Sequence, residues 1–126
     1  MLLELPATWV TAQGEAPLPG YVCVVSKLHV TEPFHLRGPA RSAFWDEVSL
    51  IAEAVQGATG SPKINYEIHG NTIPHLHLHL YPRYPGDPFE GGPIDPRGIP
   101  PFVRTEKDLA ALREAIRGVL GTRGQD

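Results

Sequence analysis

His75-Leu76-His77-Leu78-His79-Leu80-Tyr81 holds three of the six histidines of this chain, one at every second position. Successive side chains on a β-strand point to opposite faces, so positions i, i+2 and i+4 share one face. The spacing sets His75, His77 and His79 in a row on one side and Leu76, Leu78 and Leu80 on the other. A helix would smear both sets around its cylinder. The stretch reads as a strand with its leucines in a core and its imidazoles lining a site. A lone strand histidine is ordinarily a half-exposed polar residue without a task. Three on one face must stay neutral or share positive charge with a counterion. Imidazoles titrate near neutrality, so the row invites an anion, a metal or proton transfer.

The flanks set the architecture. Lys63 to Ile68 reads as a strand, joined through His69-Gly70-Asn71-Thr72 and Pro74 to the histidine strand, which makes an antiparallel hairpin. Before it, Phe44, Val48, Ile51 and Val55 recur at i, i+4, i+7 and i+11, one face of a helix from about Pro39 to Gln56. Pro39 suits its first turn, and Gly57 and Gly60 suit its stop. Further upstream, Thr8 to Thr11 is a short β-prone run, and Tyr21 to Ser26 is apolar and β-branched, the pattern of a buried strand. The two suggest a second hairpin across a long Pro-Gly-rich connection. Pro33 breaks the chain after Val30. Pro82 to Pro101 holds seven prolines and four glycines in twenty residues, too many for helix or interior strand. A long loop there is a flap over the site, a wrap around a partner subunit or a surface linker. Thr105 then caps a second helix, with Glu106 and Asp108 at its positive end, Leu109, Leu112, Ile116 and Val119 as its buried stripe and Gly121 as its end. Four to five strands and two helices make one α+β domain over 1–126, with a mainly antiparallel sheet.

Composition narrows the function. The chain has 126 residues and a mass of 13.8 kDa, enough for a core without staples. A net charge of -3 and a pI near 6.0 argue against broad binding to nucleic-acid backbones or anionic membranes. A phosphorylated small molecule would need local positive groups. The single cysteine, Cys23, excludes an internal disulfide and is expected to pack in the interior. Met1 to Glu15 carries two acids and no basic stretch, and the run from Tyr21 to Val25 is too short to span a bilayer. A cytoplasmic location is expected.

Two chemistries compete for the histidine row. Zinc is the first, since imidazoles on a strand are metal ligands. Three ligands in strict alternation span about 13 Å of strand, however, and the outer pair struggles to converge on one ion with bonds of about 2 Å. The second is nucleophilic catalysis. A neutral imidazole attacks phosphorus and holds the transferred group covalently, while its neighbours contact the phosphate oxygens and manage protons.

The seven residues resemble the signature of the histidine-triad (HIT) family, His-φ-His-φ-His-φ-φ with φ apolar. Leu18-Pro19-Gly20-Tyr21-Val22-Cys23-Val24-Val25-Ser26-Lys27-Leu28-His29 is similar to that family's Pro-Gly-strand-His segment, and the resemblance covers Trp9 to Arg83. It implies an α+β nucleotidyl hydrolase, usually a homodimer, with no cofactor and no obligatory metal. It makes His77 the nucleophile at the α-phosphate of a nucleotide. His79 would contact the phosphate and help protonate the leaving group, while His75 and His29 orient and polarise the others. Asn65 would lie near the phosphate, Asn71 and Thr72 near the leaving group, and Gln13 near the ribose. Asn65 ending a strand and Asn71-Thr72 as plain turn residues are the alternatives. His35 and His69 match nothing and read as surface residues. A transferase branch of the family has glutamine at the third histidine, so His79 favours water as final acceptor. The segment after Pro82 does not resemble the branches acting on phosphoramidates or dinucleoside polyphosphates, and an acidic residue that many members carry near the ribose is absent. The expectation is a hydrolase releasing a nucleoside monophosphate from one of those two substrate classes. A nucleotide-binding partner protein with negligible turnover is the alternative.

Overall fold

The computed structural model describes residues 1–95, 97 and 100–123. Its main sheet has five antiparallel strands in the order β1-β2-β4-β6-β5: β1 Leu3–Glu4, β2 Thr8–Thr11, β4 Val22–Ser26, β5 Lys63–Ile68 and β6 His77–Arg83. A separate two-stranded ribbon pairs β3, Glu15–Ala16, with β7, Phe102–Val103. The helices are α1, Gly38–Thr59, and α2, Glu106–Arg123. This is the expected α+β fold.

The alternation read from the sequence sorts the two faces. Val10, Val22, Val24, Ile64, Leu78 and Leu80 lie buried on one side, with Phe44, Val48, Ile51 and Val55 of α1 and Leu112 and Ile116 of α2 packed over them. Leu109 and Val119 are partly buried at the margin. Glu47 fastens α1 to the sheet: its carboxylate accepts from the Ala7 N–H at 2.9 Å and from the Thr8 hydroxyl at 2.7 Å. The opposite face carries Trp9, Thr11, Cys23, Val25, His77 and His79 and, among the described residues, no helix residue lines the cavity on it.

Several boundaries differ from the sequence reading. The ladder begins at His77, two residues into the triad; His75 lies at a bend before it, with Leu76 N–H bonded to Val30 O. Pro82 and Arg83 belong to β6 rather than to a loop, because Pro82 pairs opposite Ile64 near the strand's end, where one missing donor costs little. The stretch after them is organised by Arg83, whose guanidinium bonds Asp87, Asn65 Oδ1 and the carbonyls of Phe89 and Gly92. That ion pair holds the Asp87 carboxyl down to about 2. Gly121 does not end α2, which continues to Arg123. Thr105 and Asp108 do cap it reciprocally, at 3.1 and 2.9 Å. Gly60, at φ 69°, stops α1, whereas Gly57 lies inside it. Cys23 is half-buried on the open face rather than in the core. Among the described residues, no helix is long and apolar enough to cross a membrane.

Candidate active site

The open face holds a cavity of about 350 Å³. β2 contributes Trp9 and Thr11, with Gln13 just beyond its end. β4 contributes Cys23 and Val25, with Tyr21 just before it, and Ile73, His75, His77 and His79 close the site. Register explains the grouping. Opposite positions on neighbouring strands share a face, and β6 places His77 opposite Val25 and His79 between Cys23 and Glu67.

Hydrogen bonds fix where the ring protons sit. A carbonyl only accepts, so His77 Nδ1, 2.7 Å from the His75 carbonyl oxygen, carries a proton. In the neutral ring, Nε2 of His77 is then left with its lone pair. His75 Nε2 donates to Ser26 O at 2.7 Å by the same reasoning, which makes its Nδ1 an acceptor. His29 Nδ1–H donates to that atom at 2.9 Å. The Tyr21 hydroxyl lies 2.6 Å from His79 Nδ1. Burial first, then neighbouring Cys23 and Tyr81, raises the phenol far above its ordinary value. It stays protonated and donates, so neutral His79 keeps its proton on Nε2. Burial, reinforced by His77 and His69, also lowers the His79 imidazole below its usual value, with Glu67 opposing. Burial pushes the Cys23 thiol up to about 11, which keeps it un-ionised.

The remaining expected residues are distributed unevenly. Gln13 is on the cavity rim, its carbonyl held by the Arg104 guanidinium at 2.9 Å from Nε. Asn65 is on the same face of the sheet, opposite Tyr81, but its Oδ1 is engaged by Arg83 at 2.8 Å and it lines neighbouring clefts rather than the triad cavity. Asn71 and Thr72 are exposed in the connection between β5 and β6, and of that connection Ile73 reaches the cavity wall. His35 is exposed and away from the triad, its Nδ1 accepting from the Glu32 N–H. His69 is exposed too, yet its ring centroid is 5.9 Å from that of His79.

Sequence reasoning missed Tyr21, Glu67 and Arg104. Tyr21 and Glu67 were legible in principle, since the strand parity that aligns Cys23 with His79 aligns them as well. Arg104 gave no signal, because its bonds to Gln13 O and Tyr21 O cross more than eighty residues. Among the described residues, no group of three or more His, Cys, Asp and Glu side chains is arranged to hold a metal ion.

A family model described as HIT domain matches residues 1–86. A histidine triad protein from Sinorhizobium meliloti is similar in structure, at 25% identity over 94% of this chain and 87% of that one, with a TM-score of 0.81. One from Marinobacter aquaeolei shares 28% identity over 96% and 88%, with a TM-score of 0.80. A histidine triad family protein from Mycobacterium smegmatis, described as Zn-bound, shares the fold at 21% identity over 96% and 86%, with a TM-score of 0.68. No curated protein sequence matches the chain. With the family model covering more than half of its residues, the chain belongs to the HIT domain family.

Proposed function

We propose that the chain is a nucleotidyl hydrolase that releases a nucleoside monophosphate through a covalent nucleotidyl-His77 intermediate. The observation that carries this reading is the His77 tautomer. Its Nδ1–H is tied to the His75 carbonyl at 2.7 Å, so Nε2 is a fixed, unprotonated nucleophile. The His75 ring is locked between Ser26 O and His29, which braces the backbone that orients His77. His79 offers Nε2–H to a phosphoryl oxygen, where charge develops as the bond to His77 forms. Trp9, Val25 and Ile73 supply apolar walls for a base and ribose. The volume lies near the lower end of the roughly 300–1,000 Å³ usual for small-molecule sites. Dinucleoside polyphosphates and nucleoside phosphoramidates are the substrate classes, adenine the base, and the cytoplasm the place of action. In this reading the protein works as a homodimer.

The test is turnover of a panel of diadenosine polyphosphates, adenosine 5′-phosphoramidate and a nucleotide sugar, with nucleoside monophosphate release as readout. Wild type should turn over at least one member, and His77→Ala should lose activity by at least about a thousandfold while still binding nucleotide. Folded wild type that binds nucleotide but turns over none would favour the partner-protein alternative. Each arm is run with and without chelator, because one solved relative is described as Zn-bound. Activity that follows added zinc would transfer the site to metal chemistry.

A further inference from the structure

His77 and His75 are each tied to a backbone carbonyl, which only accepts, so the proton at that nitrogen is fixed. His79 is tied to a hydroxyl instead, the Tyr21 phenol 2.6 Å from its Nδ1. A hydroxyl both donates and accepts, and its hydrogen rotates to suit its neighbours. The bond between Tyr21 and His79 therefore survives a change in the protonation of the ring. Tyr21 is held for that task from several sides. Its ring lies against Tyr81, with 4.6 Å between centroids and 12° between planes, and 5.8 Å from the His79 ring. Tyr81 is also a hydrogen-bond partner for the Tyr21 side chain. The Arg104 guanidinium holds the Tyr21 carbonyl from beyond the residues 1–86 that the family model matches. Tyr21 is 9% exposed, so water does not compete freely for its hydroxyl.

Protonation of a leaving group by His79 makes a demand on Nδ1. A neutral imidazole with its only proton on Nε2 would become an anion by giving it away. The ring must first gain a second proton, and that proton enters at Nδ1. A bound phosphate and the Glu67 carboxylate opposite His79 both favour the doubly protonated ring. The new Nδ1–H is half-buried, and a donor left there without an acceptor is costly. Tyr21 supplies the acceptor by turning its own hydrogen toward Tyr81.

We propose, resting on the nucleotidyl-transfer reading, that Tyr21 is a positioning residue whose hydroxyl serves His79 in both of its protonation states. It donates to Nδ1 of the neutral ring in the free protein. It accepts from Nδ1–H once nucleotide is bound and the ring has taken a proton from solvent. In the first half, His77 Nε2 bonds phosphorus as the bond to the leaving atom breaks. The leaving atom keeps the bonding pair and receives the Nε2 proton of His79. The His79 ring is then neutral, with its remaining proton on Nδ1 held by the Tyr21 oxygen and its Nε2 lone pair facing the site. In the second half, water gives a proton to that Nε2 while its oxygen bonds phosphorus and the bond to His77 breaks. His77 recovers its lone pair, and the second proton of His79 returns to solvent as product leaves.

Tyr21→Phe removes the hydroxyl and keeps the ring, and two probes separate the proposed role from a structural one. Ammonia leaving adenosine 5′-phosphoramidate must be protonated, whereas p-nitrophenolate leaving the p-nitrophenyl ester of AMP departs unaided. The variant should raise the ratio of first-turnover rates, ester over amidate, by about tenfold, the effect of one half-buried donor left without its acceptor. Nitrogen-15 NMR of the free protein adds a readout independent of turnover. His79 should carry its proton on Nε2 in wild type and divide it between both nitrogens in Tyr21→Phe. An unchanged rate ratio overturns the proposal even if both rates fall, since a loosened site slows both probes alike. A wild-type His79 with its proton on Nδ1 overturns it as well. If His77→Ala turned over the ester at the wild-type rate, the covalent reading would fail first and the role of Tyr21 with it.

Discussion

At His79, opposing influences act on one ring. Burial and the nearby His77 and His69 disfavour a second proton, while the Glu67 carboxylate favours it, and the balance lowers the ring below its ordinary value near 6.5. The Tyr21 hydroxyl completes the arrangement by donating to Nδ1, where a second proton would go. The consequence for stability has a definite sign. Above about pH 6.5 the ring is neutral in both folded and unfolded chains, and its contribution is fully present. As pH falls below that value, the unfolded chain binds a proton that the folded chain resists, so stability declines until the lowered folded value is passed. The one-proton limit is about 1.4 kcal/mol per pH unit, and the half-exposed ring gives only a fraction of it. Denaturant midpoints at pH 7.5 and 5.5 should therefore drop less for His79→Gln than for wild type. Equal drops would show that the ring is not held neutral by the fold. Side-chain parity alone makes the triad row legible. It says nothing about which nitrogen carries each proton, because that depends on partners such as Ser26 O and Tyr21, which tertiary structure brings in.

Elements with a strong period were readable to within a few residues, and those without one were not. β5 matches its expected span, and α1 extends its expected span by one residue at the start and three at the end, because a long amphipathic stripe or a run bounded by turn residues leaves little choice. β3 and β7 have two residues each and are held beside the sheet by Arg104, next to β7, which reaches Gln13 O and Tyr21 O. Pattern cannot announce such short ribbons. Gly20 shows a second kind of hidden constraint. It sits at φ +85°, and a Cβ there would lie 2.5 Å from Thr59 Cγ2 and 3.0 Å from Pro82 Cγ. The end of α1, the start of β4 and the end of β6 thus meet at a spot with room for hydrogen alone. Gly20→Ala combines left-handed strain of about 1–2 kcal/mol with overpacking of about 1–3 kcal/mol. Chemical denaturation should show a loss of about 2–5 kcal/mol, and a loss below about 0.5 kcal/mol would mean that the junction gives way easily. Gly14, in contrast, has nothing within 4 Å of where a Cβ would stand, and it tolerates alanine on steric grounds.

Across the whole molecule, the sheet has two unequal edges. β1 has two residues and offers little to pair with. β5 has six, its outer edge has no strand partner among the described residues, and Tyr66 and Ile68 stand on it 53% and 38% exposed. A long edge with apolar side chains recruits another strand unless charge or a covering loop blocks it. Only Lys63 and Glu67 bring charge to this strand, and Glu67 points toward the histidines. Two copies joined by antiparallel β5 edges would satisfy the free backbone groups by a two-fold axis, the commonest closed symmetry, and would continue the sheet through both subunits. The two histidine-bearing faces would then lie on one shared surface, since strand parity is preserved across such a joint. Light scattering after gel filtration should give about twice the 13.8 kDa chain mass for wild type. Tyr66→Lys places a charge of the kind that natural edges use for protection, and should shift the protein to one chain mass with its fold retained by circular dichroism. A monomeric wild type, or a dimer indifferent to the lysine, would show that this edge is not the contact.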